Sequence, residues 1–446
     1  MSKTDGNSPP ADSKRQYSVG NLVQNAVALM VSSGGTALLG VIFWATAAHL
    51  TTPENVGLAS AEIAAMMLLA NLSQLSFTAI FNRFLPISGN RTRRFVTRAY
   101  AMCAVAAVLA GSIYVFTGIG HRYIPSSFGW KALFVVSVLL WTIFVLQDSV
   151  LTGLRATRWV PVENILFAMA KIALLPAFLA FSTRQGLFLA WTVPVVAATA
   201  AVSWFLFRKR IPTHEEANPS SDDFPSTREL VSLGVAQYAN SLVSTFWFPL
   251  VILIVIERLG PVAEAHYYLP ALITTGGVGV LLWNLVTSFL VEASSDPKEL
   301  HNHAKLTIRA GIVVLVPTIA IGVAFAPEIL RIFGASYARY GTSLLRLLLL
   351  SLLGEAVTAF YFSLAWLDKR VWFLAGRDLL GAVVYFVLLI VLIGHFGILA
   401  VGIASVVMSV LQGIFFLPIS IKRYRAIARA DISHDDADTS STLPGV

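Results

Sequence analysis

Long apolar stretches alternate with short polar segments over the whole chain. Each stretch can form one α-helix across a bilayer core, which needs about 20 mostly apolar residues. Breaks at Pro, Gly and charged residues separate the stretches. The pattern predicts an all-α polytopic membrane protein with twelve transmembrane helices near residues 20–49, 56–81, 95–118, 130–153, 160–181, 186–207, 230–257, 265–290, 305–325, 341–366, 371–393 and 396–421.

The composition agrees with a membrane protein. Of the 446 residues, 56% are hydrophobic and 13% charged, and the mean hydropathy is +0.73, whereas soluble domains carry about 25% charged residues. Cys103 is the only cysteine, so an intrachain disulfide is excluded. The isoelectric point near 9.6 reflects basic membrane loops, and we expect no nucleic-acid partner.

The charge distribution predicts orientation and domain layout. A cytoplasmic N-terminus places most of the 32 Lys and Arg residues in inside segments, as the positive-inside rule requires. The polar first 17 residues lack the apolar core of a cleavable signal, so we expect the first helix to remain in the mature protein. The predicted layout is a cytoplasmic tail (1–17), an N-lobe of six helices (18–207), a cytoplasmic linker (208–229), a C-lobe of six helices (230–421) and a cytoplasmic tail (422–446).

The two halves carry similar loop motifs. The segments "HLTTPENVGLASAEI" (49–63) and "RLGPVAEAHYYLPAL" (258–272) each contain a Pro followed four residues later by a small residue. Further along, "FNRFLP" (81–86) and "SFLVEA" (288–293) occupy matching positions. A six-plus-six repeat predicts two lobes around a central cavity, where such transporters place their sites. Chance similarity is the alternative, since Pro and Gly mark many helix ends.

Polar side chains follow one face of several predicted helices. Such stripes either line a hydrated cavity, which we favour because they recur on matching helices of both lobes, or join helices by hydrogen bonds. The predicted cavity residues of these stripes are Asn21, Gln24 and Asn25 in the first helix, Asn71, Thr78 and Asn82 in the second, Gln237, Asn240, Ser241 and Ser244 in the seventh, and Asn284 in the eighth.

Ionisable residues inside the predicted helices are further candidates, because a charge at the bilayer centre costs about 2.5–3.5 kcal/mol on insertion scales. We expect Lys171 and Glu355 to line the cavity. Glu62, Asp148 and Glu355 are the candidates for ion coupling. A structural ion pair between Asp148 and Lys171 is the alternative for those two residues.

The sequence contains no motif for catalysis, a cofactor or a metal. It lacks a Gly-rich phosphate loop followed by Lys-Ser or Lys-Thr. His301 and His303 lack a third metal ligand nearby. The external segments are too short for the large loops of membrane glycosyltransferases. We therefore expect a protein that is not an enzyme.

These features resemble the polysaccharide-transport (O-antigen flippase) family of the multidrug/oligosaccharidyl-lipid/polysaccharide exporter superfamily. The likeness rests on "TTPENVG" (51–57), "FNRFLP" (81–86), the echo "LGPVAEA" (259–265) and "VLTGLRATRWVPVENILFAMAKIALL" (150–175). The resemblance implies alternating access that moves a polyprenyl-pyrophosphate-linked oligosaccharide across the bacterial cytoplasmic membrane. We expect membrane lipids and glycan-synthesis enzymes as partners. The mixed intramembrane charges depart from the strongly cationic cavity that would suit pyrophosphate.

The resulting hypothesis is a lipid-linked oligosaccharide flippase whose polar stripes bind the sugar. Lys171 and Arg83 would contact phosphate, although anchoring at the membrane surface also explains Arg83. An ion-coupled multidrug antiporter of the same superfamily is one alternative. A non-transporting scaffold of a glycan-synthesis complex is another. A major-facilitator-type transporter is disfavoured because "PISGNRTRRF" (86–95) lacks the Asp of that family's loop.

Overall fold

The computed structural model describes residues 34–218, 224–295, 299–368 and 371–441. Within these ranges, side chains are described except at 236, 239–245, 295, 371–373, 375 and 430–441. All regular elements of the described ranges are helical.

The described residues form twelve principal helices, joined by shorter ones, in two lobes around a central cavity, which confirms the predicted fold class. Ten of the described helices are long and apolar enough to cross a bilayer, so this is a multi-pass membrane protein. The N-lobe helices are α1 (Gly34–Leu50), α2 (Pro53–Ser73), α3 (Gly89–Phe116), α4 (Phe128–Gly153), α5 (Trp159–Phe181) and α6 (Gly186–Ala217). The C-lobe helices are α7 (Thr227–Leu259), α8 (Pro261–Ser294), α9 (Leu300–Ala324), α10 (Ala335–Leu367), α11 (Val371–Phe396) and α12 (Leu399–Ser441).

The corner between α1 and α2 resembles the corner between α7 and α8. Pro53 begins α2, and the Thr52 side chain caps it by accepting the Asn55 backbone N–H at 3.4 Å. Pro261 begins α8 directly after Gly260, whose φ of 87° suits glycine. Proline is well placed at a first helical position because its missing N–H would have no partner there. The repeated sequence motifs therefore form similar corners.

A break divides the second predicted helix. After α2 ends, a short helix (Phe77–Phe84) continues in the same region. Leu75 and Ser76 between them have left-handed φ values of 48° and 63°, which cost roughly 1–2 kcal/mol for each non-glycine residue. The prediction of one continuous helix over 56–81 is therefore wrong at this point.

Three π-helical turns interrupt α6, α8 and α9. They span Leu206–Arg210, Ile273–Val278 and Gly311–Leu315. Such turns occur frequently at functional sites. The turns in α8 and α9 lie on neighbouring helices of the C-lobe.

The helix α2 joins the lobes. It packs against α4 in the N-lobe and against α7 and α8 in the C-lobe, and most of its side chains are buried. A helix that is apolar around its whole circumference suits this central position. Within the C-lobe, α10 packs along α12, whereas α9 is largely exposed.

Candidate functional site

The lobes are in direct contact at the end of the molecule that carries the two corners, here named the closed end (49–57 and 257–265). Gly57 of α2 lies against Pro261 of α8. A Cβ atom on Gly57 would lie 1.8 Å from the carbonyl oxygen of Pro261. Only glycine permits this approach of the two backbones.

A hydrogen bond joins the lobes one turn further along these helices. The Ser60 hydroxyl of α2 donates to Oε2 of Glu264 in α8, and both side chains are buried. The other carboxyl oxygen, Oε1, has no partner among the described residues. Since a buried acceptor without a donor is costly, Ser60 provides an important contact for Glu264.

Aromatic rings close the space next to this hydrogen bond. Trp44 of α1 meets Tyr268 of α8 with ring centroids 4.7 Å apart, and Tyr268 meets Phe248 of α7 at 6.3 Å. Nearer the surface, Arg122 Nε lies 3.1 Å from Glu257 Oε2, with both side chains about half exposed. Such an exposed ion pair contributes about 0–1 kcal/mol. Apolar packing, more than this ion pair, therefore holds the closed end together.

The opposite end, here named the basic end, carries the clustered cations Arg91, Arg93, Arg94, Arg98, Arg155, Arg158, Arg208, Lys209 and Arg210. Towards this end, the break after α2 also contacts neighbouring helices. The Tyr238 hydroxyl of α7 donates to the Leu72 carbonyl at 3.1 Å. The Cys103 thiol of α3 donates to the Gln74 carbonyl at 3.4 Å. Two carbonyl groups at the break thus have partners from outside α2.

A cavity of about 690 Å³, here named the central cavity, lies between α1, α8 and α9. Gly34 and Ala37 of α1 face α8 across it, so it lies between the lobes. Apolar side chains such as Leu281 form part of its wall. The polar and charged lining residues are Asn284, Ser288, Glu292, His303, Thr307 and Thr318. Its size and mixed lining are typical of a small-molecule site.

A second cavity of about 400 Å³, here named the C-lobe groove, lies between α8, α9, α10 and α12. None of the described residues that line it carries a charge. Leu285, Phe289 and Thr307 line both the groove and the central cavity. Three side chains are thus common to the walls of the two cavities.

Lys171 of α5 is buried in the N-lobe among aromatic rings, with 5% of its surface exposed. Its Nζ atom lies 3.6 Å from the ring centroid of Trp191, 5.0 Å from that of Phe43 and 5.2 Å from that of Phe167. Cation–π contacts contribute about 2 kcal/mol when desolvated. In the described part of the chain no carboxylate lies within ion-pair distance of Lys171, so the alternative of a pair with Asp148 does not form.

Two carboxyl side chains lie near each other at the basic end of the N-lobe, Asp148 partly buried and Glu163 buried. The Asn164 amide of α5 donates to Asp148 Oδ2 of α4 at 3.3 Å, whereas Oδ1 has no partner among the described residues. Glu163 is 5% exposed, and neither of its oxygens has a described partner. A buried carboxylate is costly without a compensating charge, and neither side chain has one among the described ion pairs.

The other predicted charged residues are dispersed. Glu62 is buried within α2. Glu355 is partly buried on α10 beside Trp283. Arg83 is exposed at the basic end, with its guanidinium carbon 5.2 Å from the Phe84 ring centroid.

The predicted polar stripes are also divided. Asn284 lines the central cavity. Asn71 precedes the break in α2, and Thr78 and Asn82 follow it, so their spacing no longer defines a single helical face. Gln237 is exposed on α7. The remaining stripe residues lie outside the described residues or side chains: Asn21, Gln24, Asn25, Asn240, Ser241 and Ser244.

The sequence does not predict a role for three residues of the site. Ser60 and Glu264 form the hydrogen bond between the lobes, and Glu163 is buried without a described partner. For Glu264 a signal was available, because the repeated motif has Val56 at the matching position of the first half. A carboxyl that replaces an apolar residue in one copy of a repeat marks a difference between the lobes. Ser60 and Glu163 offered no comparable signal.

Comparisons with known proteins show which solved structures share this fold. No family model and no curated protein matches the chain. An inward-facing multidrug resistance transporter of the MATE family, in the MOP superfamily, superposes with a TM-score of 0.61 at 17% identity, covering 88% of this chain and 96% of the other. The lipid II flippase MurJ, in an inward closed conformation, gives 0.62 at 12% identity, covering 94% of each chain. A MOP-superfamily transporter from Pyrococcus furiosus gives 0.58 at 14% identity, covering 91% and 96%.

At these identities the similarity shows the fold. The chain has the two-lobe fold shared by MATE transporters and MurJ, which is the fold of the superfamily that the sequence resembles. The polysaccharide-transport family within it stays a prediction.

Proposed function

We propose that the protein is a non-enzymatic flippase that moves a polyprenyl-pyrophosphate-linked oligosaccharide across the bacterial cytoplasmic membrane by alternating access. The observation that carries the proposal is the central cavity, where hydrogen-bonding groups and apolar walls meet between the lobes. Such a lining suits an amphipathic molecule with a polar head and a hydrocarbon chain. The fold similarity to MurJ and to multidrug transporters supports transport without covalent chemistry.

In this proposal the basic end and both termini lie in the cytoplasm, as the positive-inside rule indicates. The closed end then faces the exterior, because it lies at the opposite side of the bundle. The described conformation would accept substrate from the cytoplasmic side. Release would require the Gly57–Pro261 and Ser60–Glu264 contacts to separate.

The described residues would have distinct roles. Asn284 and its polar neighbours in the central cavity would hydrogen-bond the sugar. Exposed Arg83 would contact the pyrophosphate at the cytoplasmic surface. Lys171 would reach phosphate only after leaving its contacts with Trp191 and Phe43. Membrane lipids and glycan-synthesis enzymes are the proposed partners.

One observation favours a second candidate, an ion-coupled multidrug antiporter. Asp148 Oδ1 and both oxygens of Glu163 have no partner among the described residues, and carboxyl groups in such a setting suit a proton or a sodium ion. Glu62 and Glu355 are the further coupling candidates. The fold similarity to MATE transporters supports this function as well as the first.

Proteoliposomes test the proposal. Polyprenyl-pyrophosphate oligosaccharide is incorporated in the vesicles, and its transfer between leaflets is followed with a membrane-impermeant glycosyltransferase. The wild-type protein should accelerate transfer. Asn284→Leu should reduce the rate about fivefold, corresponding to the loss of about 1 kcal/mol for one hydrogen bond.

Thr287→Leu is the matched control, because Thr287 is an exposed polar residue on the same helix. Its hydroxyl donates to the backbone carbonyl of Trp283, one turn earlier in α8. It should transport at the wild-type rate. Wild-type vesicles that leave the glycolipid in place but exchange a cationic drug for protons or sodium would establish the antiporter instead.

A further inference from the structure

A cavity of about 480 Å³, here named the basic pocket, lies at the basic end of the N-lobe, between the start of α5 and the end of α6. Four cations and one carboxylate line it, so the lining has a formal net charge of +3. These charged residues are Arg158, Arg208, Lys209, Arg210 and Glu216. The lining of the central cavity, in contrast, includes no residue of α5 or α6. The basic pocket is therefore a separate site.

The cations of the basic pocket are not neutralised by ion pairs. In the described part of the chain, none of the four lies within ion-pair distance of a carboxylate. The matching end of α12 in the C-lobe differs, since Arg423 pairs there with Asp368. Unpaired Lys and Arg side chains bind phosphate groups, to which Arg can donate two parallel hydrogen bonds. The basic pocket thus favours a ligand that carries phosphate.

The local backbone explains why three of the cations share one pocket. Arg208, Lys209 and Arg210 are consecutive and fall within the π-helical turn of α6. A π-helix bonds each residue to the fifth residue along, so it rotates less per residue than an α-helix. Successive side chains therefore stay closer to one side of the helix, and all three line the pocket.

Aromatic rings place the basic pocket at the surface of the bilayer. Trp159 and Phe205 line it, with ring centroids 5.0 Å apart. The Arg210 guanidinium carbon lies 5.9 Å from the Phe205 ring centroid. Lys209 Nζ lies 5.9 Å from the ring centroid of Trp204. Because tryptophan is enriched at the depth of the lipid headgroups, these cations lie where the phosphate groups of a bilayer lie.

An apolar helix face continues from the basic pocket towards the bilayer centre. Beyond Trp159, the side chains of Val162, Leu166 and Met169 are exposed on α5. All three lie within about 80° of Trp159 by the helical period. A ligand whose phosphate occupies the pocket can therefore place hydrocarbon chains along α5. Inorganic phosphate would make no use of this face.

We propose that the basic pocket binds the phosphate headgroup of an anionic phospholipid from the adjacent leaflet, and that the bound lipid links the start of α5 to the end of α6. Basic pockets between transmembrane helices suit such headgroups. Because the pocket is separate from the central cavity, the inference holds for either transport function proposed above.

Native mass spectrometry of the full chain in detergent tests the proposal with phosphatidylglycerol, and with phosphatidylcholine of the same acyl chains as the uncharged comparison. Arg208→Gln combined with Arg210→Gln removes two cations from the pocket. Lys422→Gln combined with Arg425→Gln is the matched control. It removes the same charge from exposed residues of α12, the sixth helix of the other lobe, which line none of the three cavities.

The wild-type protein should bind phosphatidylglycerol more tightly than phosphatidylcholine. The pocket variant should bind phosphatidylglycerol about 25-fold more weakly, at about fivefold for each cation lost near an anionic lipid. The control should bind as the wild type does, and Arg208→Lys with Arg210→Lys should recover most of the affinity. An equal loss in the pocket variant and in the control would show attraction to the whole basic surface and overturn the proposal.

Hydrogen exchange with the wild-type protein covers the case in which the pocket variant does not fold. Phosphatidylglycerol should slow the exchange of backbone amides in 206–213 relative to phosphatidylcholine, and leave 421–425 unchanged. Inorganic phosphate that protects 206–213 equally well would identify a site for soluble anions. Protection by a polyprenyl pyrophosphate alone would assign the pocket to the transported substrate. Either result, or equal protection of 421–425 by phosphatidylglycerol, would overturn the proposal.

Discussion

The N-lobe and the C-lobe repeat one arrangement of six helices, yet they differ in the surroundings of a cation on the fifth helix, buried Lys171 in one lobe and partly buried Arg377 in the other. In the N-lobe, Lys171 lies over aromatic rings with no carboxylate within ion-pair distance in the described structure. In the C-lobe, Arg377 of α11 pairs with the adjacent Asp378 and lies 5.6 Å from the Phe416 ring centroid. The fold therefore fixes where the fifth helix of each lobe runs, whereas the individual side chains decide whether its charge is neutralised.

The interiors of the two lobes differ as well. In the N-lobe, Tyr114, Phe134 and Phe188 form a continuous stack with ring centroids 6.0 and 6.2 Å apart. The described C-lobe contains the groove and two π-helical turns. Dense aromatic packing favours a rigid lobe, and open grooves favour one that accommodates a ligand. The comparison thus indicates that the groove is a feature of the C-lobe, although aromatic rings such as Trp247 and Tyr385, with centroids 4.4 Å apart, pack in that lobe as well.

Gly57→Leu should have the largest effect, because it separates the lobes where their backbones touch. Overpacking typically costs about 1–3 kcal/mol, and contact with a backbone carbonyl places this variant at about 3 kcal/mol. Spin labels at exposed Leu50 and Val262, in a Cys103→Ala background, should report a longer distance. Gly394→Leu, at an exposed glycine of α11 where a Cβ atom would meet no other atom within 4 Å, provides the control, and an unchanged distance distribution in Gly57→Leu would show that the described contact is not part of the resting state.

Arg377→Met and Lys171→Met test the comparison of these two cations directly. Removing Arg377 leaves Asp378 without its ion pair, and because Asp378 is partly exposed the cost should be about 1–2 kcal/mol. Lys171→Met keeps an apolar chain against Trp191 and removes a desolvated charge, so stability should stay the same or rise. Thermal unfolding in detergent measures both. Equal destabilisation would mean that Lys171 has an anionic partner, and the contrast between the lobes would fail.

Ser60→Ala should have a smaller effect on the closed end. It removes the hydroxyl that donates to Glu264, at a cost of about 1 kcal/mol, which corresponds to about a fivefold shift towards separated lobes. The same pair of spin labels measures the populations. Ser60→Thr retains the hydroxyl and should restore the wild-type distribution; a shift of equal size in Ser60→Thr would indicate a packing effect.

Tyr238→Phe should have the smallest effect, since it removes only the hydroxyl that bonds the Leu72 carbonyl. The expected loss is about 0.5–1 kcal/mol. Backbone amides of 77–84 should exchange hydrogen faster, as measured by mass spectrometry. Tyr340→Phe is the control because Tyr340 is 54% exposed on α10. Identical hydrogen exchange in both variants would show that the hydrogen bond from Tyr238 to the Leu72 carbonyl does not stabilise the backbone break at Leu75 and Ser76.

The sequence predicts helices well here because each apolar stretch must satisfy its own backbone hydrogen bonds in a bilayer. The two Pro-containing corners were also predictable, since Pro and small residues mark the same position in both halves. The position of Asn284 in a cavity follows from its polarity in an apolar helix. These features depend on local sequence or on its repetition.

Contacts between distant segments could not be predicted from the sequence. The partner of Glu264 is Ser60, 204 residues away, and their meeting depends on how the lobes dock. The break at Leu75 and Ser76 contains neither Gly nor Pro, so local propensity gives no warning of it. Lys171 illustrates a third limit, because helical spacing places it on a face without showing that aromatic rings from α1 and α6 cover that face.

The left-handed turn at Leu75 and Ser76 has a mechanical consequence for α2. A continuous helix resists sharp bending because its backbone hydrogen bonds would have to break. At this turn, carbonyl groups already bond to Tyr238 and Cys103, so α2 can pivot there at little further cost. Its 21 residues form a rod of about 30 Å. A tilt of about 10° at the basic end would therefore carry Gly57 through about 5 Å, enough to convert a small bend on one side of the membrane into an opening on the other.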